Sequence, residues 1–214
     1  MSTDPTTEPA GQPMTRAFPE GGPLIRLAYR ELNIAANGRA EQIKAIGDPR
    51  LLPRPWDPPT CRTTQLREQV WGWLEDVVTW LNLEYVWDVG AVIPCCWPQH
   101  PHLVHEIAVL ADQRRGAGAA LTSDGLEEWH RYALPAFVDR MRARIKDHCE
   151  EGHQGWPARS RYARHTSEPT SRDRTNIYSG DAQTVIRASA NAPGGRKRLG
   201  VVNLETGEIT EGPQ

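Results

Sequence analysis

Long hydrophobic runs are missing from this 214-residue chain: no stretch approaches the roughly 20 apolar residues of a membrane-spanning helix. Its opening residues, MSTDPTTEPAGQPM, have neither the basic start nor the apolar middle of a secretory leader. The expectation is a soluble, cytoplasmic protein that makes no membrane contact. Apolar material is scarce as well. Hydrophobic residues make up 38%, while Gly and Pro stand at 18 each, so part of the chain lacks the side chains from which a core is built. Cysteine is limited to Cys61, Cys95, Cys96 and Cys149. Adjacent Cys95 and Cys96 do not pair readily with each other, which excludes a secreted disulfide scaffold and leaves the thiols free or metal-bound. There is no Walker loop or dinucleotide fingerprint, since Gly116, Gly118, Gly194 and Gly195 follow no buried strand. No oxyanion turn or nucleophile motif supports an active site.

What the chain has is tryptophan, eight in all. Seven of them (Trp71, Trp73, Trp80, Trp87, Trp97, Trp129, Trp156) lie between residues 61 and 156, and large aromatics give a small domain the most burial per side chain. That segment carries fourteen acidic and nine basic residues, whereas 157–214 carries six acidic and nine basic. Five regions follow. Residues 1–22, rich in Thr, Pro and Gly, read as a disordered arm. Residues 23–60 hold two short helices, broken at Asn37-Gly38, and a proline strap (Pro53, Pro55, Pro58, Pro59) pinned by Trp56. Residues 61–156 form the helical core. Residues 157–198 read as a basic, flexible linker, and 199–214 as a tail with hairpin chemistry around Thr206-Gly207.

Within the core, Leu66, Val70, Trp73, Leu74, Val77, Trp80 and Leu81 recur at helical spacing after Thr63 or Thr64, either of which can cap a helix. A second helix is predicted from Pro101 to Arg115, with Leu103, Ile107 and Leu110 inward. A third runs from Ser123 or Thr122 through Leu126, Trp129, Ala133, Phe137, Met141 and Ile145, bent at Pro135 and ending near Gly152. The fold class is all-α: a small, Trp-rich antiparallel bundle of three main helices.

The runs WLEDVVTWLNLEYVWDVG, IPCCWPQHPHLVHEIAVLADQRR and LEEWHRYALPAFVDRMRARIKDHCEEGH resemble a family of proteins encoded in actinobacterial genomes, many associated with plasmids and integrative elements. The resemblance covers roughly residues 30–156, and the CWPxHP and EEWHRxxLP strings carry most of it. It implies a setting in a mobile genetic element and brings no activity with it. The chain departs from that family where Cys95 replaces a proline, which argues against Cys95 as a ligand.

One spacing suggests chemistry. Cys96-x3-His100 and Cys149-x3-His153 repeat the same element, one just before the second helix and one closing the third. In an antiparallel arrangement those ends can meet, and two thiolates with two imidazoles suit zinc. The bland alternative is two small buried thiols and two helix-end histidines. Of the other histidines, His102 and His105 stand in the wrong order with Glu106 for a metalloprotease, and His130 and His148 read as surface residues. Cys96 as a lone nucleophile has no supporting motif. Glu127 to Arg131 reads as a buried Trp129 flanked by solvated charges, and Arg140, Arg142, Arg144 and Lys146 as a basic helix end that complements the dipole. In the tail, Arg159, Arg161, Arg164, Arg172, Arg174, Arg187, Arg196, Lys197 and Arg198 could track phosphates, with Tyr162 and Tyr178 to stack on bases.

The function expected from the sequence is therefore a non-enzymatic accessory or interaction protein of a mobile element, stapled by zinc and acting on an unidentified protein partner. Two other classes stay open: a metal-dependent hydrolase at the Cys/His cluster, and a nucleic-acid-associated regulator using the basic tail.

Overall fold

The architecture is organised around α3 (Thr64–Glu84), whose apolar stripe buries Leu66, Val70, Trp73, Leu74, Val77, Val78, Trp80 and Leu81. In this computed structural model the described residues are 13–86, 88–146, 148–149, 152–156, 158–191, 201–202 and 209–210. They fall into two units, 1–154 and 155–214. The first holds α1 (Pro23–Asn37), α2 (Ala40–Ile46), α3, α4 (Pro101–Ala119), α5 (Asp124–Glu128) and α6 (Leu134–Ile145). The fold is all-α, as the helical periods imply. Because α3 and α4 carry their apolar residues three and four apart, each can turn one face to the core. Leu103, Ile107, Ala108, Leu110 and Ala111 of α4 meet that stripe, and Phe137, Met141 and Ile145 of α6 complete the core.

Among the described residues four tryptophans are buried, and each indole N–H has an acceptor. Trp73 and Trp80 donate to the Pro19 and Arg16 carbonyls, Trp97 to Glu75 Oε2 and Trp129 to the Leu110 carbonyl. A buried N–H without a partner would cost about 1–3 kcal/mol, so these acceptors are part of what selects the rotamers. Trp56 stacks on Tyr29, with ring centroids 5.8 Å apart, and thereby holds the proline strap as expected.

Three local expectations need correction. Residues 16–22 are not a free arm: they lie along α3 as acceptors for two indoles, and Phe18 packs edge-on against Trp80. Residues 1–12 lie outside the described residues. Thr63 precedes α3, yet its side chain makes no capping bond. The third expected helix is divided. Its α5 and α6 are joined by a π turn, Trp129–Ala133, in which the Leu134 N–H reaches back five residues to the Trp129 carbonyl. That wide turn accommodates Pro135, which has no N–H and whose ring crowds the carbonyl four residues back. The helix then ends at Ile145, where Lys146 adopts φ 50°, and stops short of Gly152.

In the second unit, the segment read as an unstructured linker is helical: α7 (Arg159–Thr166) and α8 (Glu168–Asn191). Scarcity of apolar residues removes a core without forbidding a helix. Here the backbone bonds, together with pairs such as Glu168–Arg172 four residues apart, stand in for packing. Arg196, Lys197 and Arg198 lie outside the described residues. The expected hairpin is present as an antiparallel pair of β1 (Val201–Val202) and β2 (Ile209–Thr210), with Val202 opposite Ile209, while its turn lies outside the described residues.

Candidate metal centre

The first half of the centre is built by two prolines. A 3-10 turn, Trp97–Gln99, begins just after Cys96 and contains Pro98, and the Gln99 N–H bonds to the Cys96 carbonyl at 2.9 Å. Pro101 then starts α4, which leaves His100 as the single residue between turn and helix. Buried Trp97 anchors the turn through Glu75. The path is so short that Cys96 Sγ lies 3.3 Å from His100 Nε2.

The second half comes from beyond α6. The strained backbone at Lys146 ends that helix, and the His148 N–H bonds to the Ile145 carbonyl at 3.1 Å, turning the chain back toward the start of α4. Cys149 Sγ thereby reaches 3.4 Å from the same Nε2 of His100. Gly152, at φ 151°, supplies a backbone that side-chain-bearing residues rarely adopt, and the ring of the next residue, His153, meets that of His100 edge-on with centroids 5.0 Å apart. Cys149 and His153 therefore come from a loop rather than from the end of a helix.

The four ligand atoms all lie within 4.8 Å of one another, so Cys96, His100, Cys149 and His153 are close enough to hold a metal ion. Standard bond lengths to sulfur and nitrogen give a tetrahedral S-to-N edge of about 3.5 Å. The two edges at His100, 3.3 and 3.4 Å, are close to that figure. Burial runs from the buried Cys96 to the exposed His153, with Cys149 half-buried between them.

Burial disfavours the charged forms of two of these groups. Burial, with Cys149 and then Cys95 nearby, pushes the Cys96 thiol up to about 11. Burial first, and His153 and His102 after it, holds His100 below the ordinary histidine range. At Cys96 and His100, therefore, the neutral forms are favoured, and a cation bound to Cys96 would displace its thiol proton.

Other sequence candidates fall outside this set. Cys95 is exposed, and Cys61 is buried beside the Arg54 carbonyl. His102 sits between the His100 ring and the Glu106/Arg144 pair. His130 Nε2 meets the Tyr85 hydroxyl at 3.0 Å, a partnership with no spacing signal because the two residues are 45 apart in sequence. The basic end of α6 proves to be more than a complement to the dipole: Glu106 of α4 takes both Arg140 and Arg144, and Asp88 takes Arg142. Glu106 had been legible only as a misplaced protease glutamate. Compared with known proteins, the chain matches no family model, no curated protein and no solved structure.

Proposed function

We propose that the centre holds a structural zinc ion and that the protein is a non-enzymatic interaction protein of an actinobacterial mobile element. The observation that carries the zinc reading is the complete Cys2His2 set, with two S-to-N edges already at the length that tetrahedral zinc requires. Four protein ligands make a closed shell, the form that stabilises a fold without leaving room for a reacting water. The interaction reading is supported by exposed side chains such as Tyr132, Tyr162, Ile177 and Ile186. The mobile-element setting is supported by the CWPxHP and EEWHRxxLP strings.

One feature favours a metal-dependent hydrolase as the second reading: His153 is exposed, and a ligand facing solvent can give way to water. Elemental analysis of protein purified without added metal tests the zinc reading. One equivalent of zinc, absent from a Cys96→Ser/Cys149→Ser variant, is expected. Cobalt substitution then separates the two readings, since added cyanide replaces a bound water and shifts the visible bands of an open centre but leaves those of a centre closed by four protein ligands unchanged. Metal-free protein from zinc-replete growth would sink both.

A further inference from the structure

Residues 16–22 lie in a groove on α3 without forming helix or strand of their own. Trp80 Nε1 donates to the Arg16 carbonyl and Trp73 Nε1 to the Pro19 carbonyl, each at 3.0 Å. Both bonds go to backbone, which every residue carries, so at these points the groove reads spacing and direction instead of side chains. The spacing fits. Two indoles seven residues apart on a helix are separated by about 10.5 Å of rise. Two carbonyls three residues apart on a polyproline-type or extended chain are separated by about 9–10 Å. The earlier carbonyl meets the later indole, so the segment runs antiparallel to α3. Pro19 restricts φ to the range such a chain needs, and Gly22, at φ −59° and ψ 174°, carries it into Pro23.

Between the two carbonyls, Phe18 makes the side-chain contact. Its ring meets Trp80 edge-on, with centroids 5.1 Å apart. The Arg114 guanidinium lies 5.3 Å from Phe18, 5.5 Å from Trp80 and 5.7 Å from Trp129, closing the slot with a cation against three rings. Both indoles are also held by rings outside the segment, Trp73 by Tyr29 and Trp80 by Tyr85 and Trp129. This is how aromatic grooves take proline-rich peptides, with ring N–H groups on carbonyls and a slot for one side chain.

We propose that this groove is a recognition site for extended segments carrying a Phe-Pro pair, closed in cis by the protein's own residues 16–22, and that a protein partner presenting such a segment binds by displacing them. The inference rests on the interaction-protein reading and on none of the metal ligands. A tethered segment works at an effective concentration of order millimolar, so a competing segment is weak against the parent chain and strong once the tethered one is impaired.

The test titrates a synthetic peptide of residues 14–22 into full-length protein and follows tryptophan fluorescence. A full-length Phe18→Ala chain is expected to bind the peptide saturably and at least tenfold more tightly than the parent does, while the same peptide carrying Phe18→Ala does not bind. A Phe18→Ala chain that melts poorly alone and regains its transition with peptide counts as the same result. If Phe18→Ala does not accumulate, Phe18→Leu, which keeps an apolar wedge, takes its place. A folded variant that binds no peptide at millimolar concentration overturns the proposal. Zinc is measured in the same samples, so loss of the centre and failure of the groove are read separately.

Discussion

A single imidazole nitrogen ties the candidate centre together, because His100 Nε2 is the atom that meets both thiols. The two histidines are therefore unequal. His100→Ala is expected to abolish metal binding, whereas His153→Ala, at an exposed position where water can enter, leaves metal bound at lower affinity; competition against a chromophoric chelator measures both. Tyr29 offers a second test at this scale. Burial, with Asp112 beside it, raises its hydroxyl pKa above the ordinary value of 10.0, and the Arg115 guanidinium lies 3.5 Å over its ring. The folded state thus holds the phenolic proton more tightly than the unfolded chain does. That contribution to stability is complete below about pH 10 and is lost as pH rises past it. Urea midpoints measured from pH 7 to 11 should fall more steeply for the parent than for Tyr29→Phe; parallel curves would refute the assignment.

At the scale of the elements, α6 ends under strain. Lys146 adopts φ 50° and ψ −132°, a region that suits glycine, and such a conformation costs on the order of 1–3 kcal/mol. Lys146→Gly is expected to raise stability by about 1 kcal/mol by chemical denaturation without loss of metal, since the same backbone turn still delivers Cys149. The contrast between what was and was not legible also sits here. The stripe of α3 and the start of α4 at Pro101 were readable because a 3.6-residue period and a proline in a first turn are local signals. The π turn at Trp129–Ala133 was not, because Pro135 announces a disturbance without saying which way the backbone absorbs it. Likewise, the two Cys-x3-His elements named the four residues that lie together, but that they meet depends on a turn at Lys146 that no spacing encodes. Residues 16–22 read as solvated because, apart from Phe18, the segment has no apolar period, and its hydrogen bonds to the two indoles are made through carbonyls, which composition does not reveal. The helices α7 and α8 were missed for the opposite reason: their backbone bonds need no apolar pattern.

For the whole molecule, the division at residue 154 separates a unit with a core from one whose described side chains include no buried residue. A chain ended after Gln154 is expected to bind metal as the parent does and to melt within about 2 °C of it, because among the described residues the large buried side chains all belong to 1–154. The helicity of α7 and α8 should fade gradually on heating instead of joining that transition, as for helices without tertiary packing. Circular dichroism of both chains checks the two statements together.

The centre also has a topological consequence. Its candidate ligands His100 and Cys149 are 49 residues apart in sequence, and α4, α5, the π turn and α6 all lie between them. A metal bound there would make those elements a closed ring. By the entropy of loop closure, such a ring restricts the unfolded chain by about 4 kcal/mol, as a covalent cross-link of that span does. Held by its two ends and stretched, the metal-loaded molecule would hide about 190 Å of chain between Cys96 and His153, released only when the coordination bonds yield.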